Sequence, residues 1–147
     1  MDTKKLNILF GPPINKERTV LSFFFSLPGK HIVSGGTTAN IVAEYLNKPL
    51  NIELVYIRKD IPPIGEMEGV DLVTEGVITM TRVKKLLAGE DAPEGDGASL
   101  IYKEMEIADE INFVCGVLSD EKETLLTEIT SLLNTQGKKI TLYSLPA

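Results

Sequence analysis

The chain of 147 residues contains one cysteine, one histidine and no tryptophan. With one cysteine no internal disulfide framework is possible, and a reducing compartment is the expected setting. An excess of basic residues is also missing: 15 Lys and Arg stand against 21 Asp and Glu, a net charge of −6. That balance argues against nucleic-acid binding, which calls for a basic stripe, and against docking to an anionic membrane. No apolar run is long enough to span a bilayer, and Met1–Asn7 has no apolar signal core. A cytoplasmic protein is expected. Two phosphate-binding signatures, G-x-x-x-x-G-K-[ST] and G-x-G-x-x-G, do not occur, so an NTPase or dinucleotide site is not expected. No cofactor is expected either.

What is present is an alternation of strand and helix patterns in a chain that is 43% hydrophobic, enough for one domain with a sizeable core. Strands are predicted over Leu6–Phe10, His31–Ser34, Asn51–Ile57, Val70–Gly76, Ile111–Gly116 and Lys139–Ser144. Helices are predicted from Lys16 to Ser26, from the turn after Ser34 to Asn47, and over Thr79–Leu87, Ala98–Asp109 and Glu121–Asn134. Ile61–Gly65 reads as a rigid proline loop, and the stretch around 89–97 as a flexible loop within a single domain of residues 1–147. Strands separated by helices make an α/β fold: a mainly parallel sheet of about five or six strands with flanking helices.

The segment His31-Ile32-Val33-Ser34-Gly35-Gly36-Thr37-Thr38-Ala39-Asn40 reads as strand, glycine turn and capped helix. Such a turn points backbone N–H groups and hydroxyls out of the carboxyl end of a strand, where ligands of open α/β sheets sit. Val70–Gly76 forms a second strand-to-turn unit. Glu75 falls at its carboxyl end, either as a ligand contact or general base or as a capping acid for the next helix. Asp71 shares a strand face with Glu75. Gly11-Pro12-Pro13 closes the first strand at the same edge. The candidate ligand-binding residues are therefore Gly11, Gly35, Gly36, Thr37, Thr38, Asn40, Asp71, Thr74 and Glu75. No metal ligand set is expected, and Glu75 is the one candidate for catalysis.

The remaining chemistry-bearing residues read as structural. His31 lies at the opposite end of its strand from the turns. Cys115 sits in an apolar strand without a base nearby and reads as a buried, inert thiol. Lys16 and Arg18 read as surface residues. Arg82, Lys84 and Lys85 read as a solvated face suited to a helix C-terminus. Phe23, Phe24 and Phe25 cannot all face inward on one helix, so one of them is expected in an interface.

The order Gly11-Pro12-Pro13, Gly29–Val42, Pro62-Pro63, Glu68–Thr79, Gly97-Ala98 and Ala108–Ile111 resembles the region downstream of the phosphatase module in bacterial SpoIIE-type (sporulation stage II protein E) serine/threonine phosphatases, members of the type 2C superfamily. The resemblance covers roughly residues 6 to 116. The catalytic module of that family holds two metal ions on aspartates, with Asp-Gly motifs at strand ends. This chain has a single Asp-Gly, Asp96-Gly97, in a loop, and Asp71 is followed by Leu72. The resemblance thus implies a non-catalytic accessory or regulatory domain that binds a small anionic ligand or docks the catalytic module or a second copy. The alternative is a small enzyme acting on a phosphorylated or carboxylated metabolite, with Glu75 as acid/base.

Overall fold

The computed structural model describes residues 3–52, 64–90 and 96–144. The predicted strand beyond residue 52, the Pro62-Pro63 loop and most of the loop around 89–97 lie outside the described residues.

The strands are β1 (Lys5–Phe10), β2 (Lys30–Ser34), β3 (Asn51–Ile52), β4 (Gly65–Met67), β5 (Val70–Thr74), β6 (Glu110–Cys115) and β7 (Lys139–Ser144). The helices are α1 (Glu17–Ser26), α2 (Gly36–Leu46), α3 (Val77–Leu87), α4 (Gly97–Ile107) and α5 (Asp120–Thr135). The described strands form one sheet in the order β3-β4-β5-β2-β1-β6-β7. The five-strand block from β5 to β7 is parallel. Taken in chain order those strands run 3-2-1-4-5, a doubly wound arrangement that reverses direction between β1 and β6. The expected α/β fold with a mainly parallel sheet is present. The strand count exceeds six because two short strands, β3 and β4, extend one edge in antiparallel fashion. Glu68-Gly69 is the two-residue turn of the β4/β5 hairpin, with Gly69 at φ +93°.

Each strand presents one row of apolar side chains to each face, which is why the parallel strands read as near-continuous hydrophobic runs. Leu9, Val33, Val73 and Val114 pack with Val20, Leu21 and Phe24 of α1 and with Ala39 and Val42 of α2. Ile8, Phe10, Ile32, Ile111 and Phe113 pack on the other face with Met80 and Val83 of α3, Ile101 and Met105 of α4 and Ile129 and Leu133 of α5. Phe113 is fully buried; truncating such a side chain to alanine costs about 3–5 kcal/mol. Among the described residues no helix is long and apolar enough to cross a membrane.

Helix ends follow local chemistry. Helix α2 stops at Asn47, which takes the left-handed conformation (φ 54°) and donates its N–H to Ala43 and Glu44 carbonyls. Helix α4 ends at Ile107, two residues before the predicted Asp109, because the Asp109 N–H donates to the Lys4 carbonyl and its carboxylate accepts from the Lys4 N–H. Helix α3 begins two residues earlier than predicted, at Val77.

Each member of the aromatic triplet has contacts within the chain. Phe24 points into the core, Phe23 meets Tyr143 of β7 edge-on at 4.8 Å, and Phe25 lies against His31 and Tyr45. Phe23 and Phe25 are half-buried. Successive residues on a helix diverge by about 100°, and α1 has neighbours on both flanks to receive them.

Candidate functional site

The carboxyl ends of β1, β2, β5, β6 and β7 share one edge of the sheet. In a doubly wound sheet the crevice at the point of reversal is the usual ligand position. Here that point, between β1 and β6, is closed by backbone. The Gly116 N–H donates to Phe10 O at 3.1 Å and the Val117 N–H to Pro12 O at 2.9 Å. A Cβ on Gly116 would collide with Pro12 O and lie 2.5 Å from Gly11 O. Gly11, at φ +88°, is covered by Leu118 and the Val117 carbonyl. Gly11 therefore reaches the expected edge but lines no opening there. Its role is to let two loops meet.

The next pair of turns is built differently. The Gly35 N–H donates to Thr74 O at 2.8 Å, tying the end of β2 to the end of β5. Gly35 stands at φ +120°, which side-chain-bearing residues rarely adopt. A Cβ on Gly76 would stand 3.5 Å from Gly35 Cα, so the two turns lie in contact. The Ser34 hydroxyl donates to Glu75 O at 3.3 Å. Helix α4 comes in from the other side: a Cβ on Gly97 would lie 3.0 Å from Thr74 Cγ2. The N-termini of α2, α3 and α4 thus gather around Ser34 and Thr74.

Two of these helix ends carry carboxylates. Glu75 Oε2 accepts from the Thr79 N–H at 3.0 Å, in the first turn of α3. This is the capping role, and it engages the carboxylate proposed as general base. Asp96 Oδ1 accepts from the Ser99 N–H at 2.8 Å, and the Ser99 hydroxyl donates back to Asp96 O at 3.0 Å. Asp96 also pairs with Arg82 Nε at 3.2 Å, with the Asp96 side chain 1% exposed. Asp96 and Arg82 are a buried pair rather than a loop residue and a solvated one. The reading of Arg82 as part of a solvated face is corrected accordingly; Lys84, paired with Glu128 at 2.8 Å, keeps that character.

The third helix end, that of α2, has no side-chain cap among the described residues. Its first helical backbone bond runs from the Ala39 N–H to Gly35 O, ahead of which the N–H groups of Gly36, Thr37 and Thr38 face the edge of the sheet. Gly36 and Thr37 are exposed, and no atom of the described residues lies within 4 Å of a Cβ placed on Gly36. Thr38 is buried, and its Oγ1 would lie 3.2 Å from a Cβ on Gly35. Thr74 is 3% exposed, and its Oγ1 has no hydrogen-bond partner among the described residues. Its methyl faces Gly97.

Asp71 does not belong to this group. It sits at the opposite end of β5, where its carboxylate accepts the His31 N–H at 2.7 Å and satisfies a donor of β2. Four residue steps along the strand separate it from Glu75, roughly 13 Å. Asn40 is exposed, one turn into α2. His31 lies at that far edge as expected, with Nε2 3.0 Å from Phe24 O. Burial pushes the Cys115 thiol up to about 11, so it stays protonated and unreactive near neutral pH.

The sequence reading missed Ser34, Asp96 and Ser99. The Asp96-x-x-Ser99 spacing before an apolar run is a helix-start signal that was available. Among the described residues no cluster of three His, Cys, Asp or Glu side chains converges as a metal site. Open cavities of about 610, 590 and 440 Å³ lie elsewhere: beside the β4/β5 hairpin, beside Cys115 and Leu142, and at the amino-terminal edge of the sheet. No protein-family model, no curated protein and no solved structure matches the chain.

Proposed function

We propose that the chain is a non-catalytic binding domain that holds a small oxyanion, a phosphate or carboxylate group, at the N-terminus of α2. The observation that carries this is the difference among three neighbouring helix ends. Those of α3 and α4 carry their own carboxylates, Glu75 and Asp96, while that of α2 is open and glycine-lined. An open helix N-terminus offers N–H donors and a partial positive charge to an anion. The hydroxyls of Thr37, Thr38 and Thr74 supply further donors. Because Glu75 is engaged by Thr79, the arrangement supports binding over acid/base catalysis. In this reading the domain acts in the cytoplasm as the accessory part of a SpoIIE-type phosphatase, signalling ligand occupancy to the catalytic module.

The test is a thermal-shift titration with inorganic phosphate and with acetate, comparing wild type with Gly36→Asp. The new carboxylate has open space around Gly36 and would occupy the helix end itself. Phosphate or acetate should raise the wild-type midpoint and leave that of Gly36→Asp unmoved. An equal rise in both proteins, or none in wild type, overturns the reading.

A further inference from the structure

Strand β7 ends the sheet on one side, and among the described residues no strand lies beyond it. It pairs with β6 through six successive residues, Lys139 to Ser144, without a bulge. A row of backbone N–H and C=O groups therefore runs along its outer edge, a template on which a further strand can pair. The devices that usually blunt such an edge are a proline, a bulge or a charged side chain. None occurs in Ile140-Thr141-Leu142-Tyr143-Ser144. Both sides of the edge are apolar. On the α5 face Leu142 is 51% exposed and lines, with Cys115, Leu118 and Leu126, the open cavity of about 590 Å³. On the α1 face Tyr143 and Phe23, both half-buried, meet edge-on at 4.8 Å. The far edge of the sheet is unlike this one: β3 has two residues and follows Pro49.

We infer that this edge is the contact surface for a second copy of the chain, joined by antiparallel pairing of β7 with its counterpart across a two-fold axis. The interface does not depend on the oxyanion site. Charge singles out a second copy as the occupant. Helix α5 runs antiparallel to β7, with Asp120, Glu121 and Glu123 in its first turn, and Glu123 lines the cavity together with Ser144. Lys138 and Lys139 stand at the opposite end, where β7 begins. Each copy is therefore acidic at one end of the edge and basic at the other. The Lys138 ammonium keeps its charge, since it donates to the Glu106 and Ala108 carbonyls at 2.7 and 2.8 Å. A two-fold axis turns the basic end of one copy onto the acidic end of the other, so one surface complements itself. Side-chain alternation restricts the register. Ile140, Leu142 and Ser144 share the α5 face, and Lys139, Thr141 and Tyr143 the other, so only residues of the same face can stand opposite. An axis at Thr141 pairs Lys138–Ser144 over its whole length. Ile140 then faces Leu142 of the second copy, Lys139 faces its Tyr143, and Lys138 faces its Ser144 on the side of Glu123. No like charges are opposed, and the exposed leucine is covered.

The experiment is analytical sedimentation of the full chain over a thousandfold range of concentration. The proteins are wild type, Leu142→Lys and Ile14→Lys, the last at a comparably exposed apolar residue in the loop after β1. Wild type should pass from monomer to dimer as the concentration rises. Leu142→Lys puts a charge on the edge and should weaken the dimer at least tenfold, while Ile14→Lys should leave it unchanged. Disulfide trapping, at a concentration where wild type is dimeric, reads the register. In a Cys115→Ala background, Thr141→Cys meets its own counterpart at a Cα separation that a disulfide spans, and should oxidise to a covalent dimer. Lys139→Cys would stand ~13 Å from its counterpart and should not be trapped. If melting shows that Leu142→Lys does not fold, Leu142→Gln is read in its place under the same criteria. A wild-type chain that stays monomeric at every concentration overturns the inference, as does a dimer that the Leu142 variant leaves intact. A dimer that traps Lys139→Cys and not Thr141→Cys overturns the antiparallel pairing.

Discussion

Replacing Thr74 by valine should make the protein more stable. Thr74 is 3% exposed and its hydroxyl oxygen has no partner among the described residues. A buried hydroxyl left unpaired costs about 1–3 kcal/mol. Valine has the same branched shape, so the methyl that faces Gly97 is kept and no cavity opens. Taking the gain as about 1.5 kcal/mol, the melting midpoint should rise by about 3–6 °C for a chain of this length. Ser34, its register partner on β2, provides the internal contrast, because its hydroxyl does have an acceptor, Glu75 O at 3.3 Å. Ser34→Ala should lower stability by about 1 kcal/mol. Both variants are read by thermal and urea melts of the same preparation. If Thr74→Val melts at or below the wild-type midpoint, the hydroxyl is satisfied in solution and it no longer supports a site. If the variant is more stable and also binds phosphate more weakly, one oxygen has been shown to destabilise the fold and to serve the ligand.

Other expected outcomes concern positions away from that hydroxyl. Gly116→Ala should destabilise by about 1–3 kcal/mol, because its Cβ would press on the backbone of Gly11 and Pro12, whereas Gly36→Ala should stabilise by about 0.5–1 kcal/mol. Urea midpoints at unchanged slope measure both; the same sign for both would contradict the packing described. Asp96→Ala removes a buried partner of Arg82 and the cap of α4 together, and should cost about 3–5 kcal/mol in the same assay, with Asp96→Asn costing less. The Cys115 thiol ionises at about 11 in the fold against 9.0 when free, so its contribution to stability is complete below pH 9 and is lost as the pH rises from 9 to 11. The stability of wild type minus that of Cys115→Ala, followed from pH 8 to 11, should fall by up to about 2–3 kcal/mol.

The parallel block was legible because β1, β2, β5, β6 and β7 each carry their own apolar run and are followed or preceded by helical spacing. Strand β4 was not, since three residues, Gly65-Glu66-Met67, are too few to show a period; only the Glu68-Gly69 pair marked the hairpin. For the site, the sequence was sufficient to bring Gly35, Thr38, Thr74 and Glu75 to one edge, since each follows or ends a strand. Asp71 was grouped with them by face alone. Alternation fixes which side a residue points to, and the rise along the strand puts Asp71 at the other end. Gly11 was assigned to the same edge correctly, but that its neighbour there is Gly116, and that the two loops close on each other, depends on the strand order. The Arg82–Asp96 pair joins residues on either side of a loop, and neither spacing nor period reports such a partner.

The central place of β1 has a consequence for how the chain is assembled during synthesis. Asn7, at its middle, is bound on one side by the carbonyls of Pro28 and Lys30 and on the other by the side chain of Asn112, 105 positions later. During synthesis β1 can pair early with β2, but its other edge stays open until β6 has been made. Until then the nascent sheet carries an unpaired, strongly apolar margin, Leu6-Asn7-Ile8-Leu9-Phe10, at what will become its centre. Long-range closure of this kind slows folding. The step that completes the sheet is then the arrival of Glu110–Cys115, and a chain cut short before that strand should aggregate through β1.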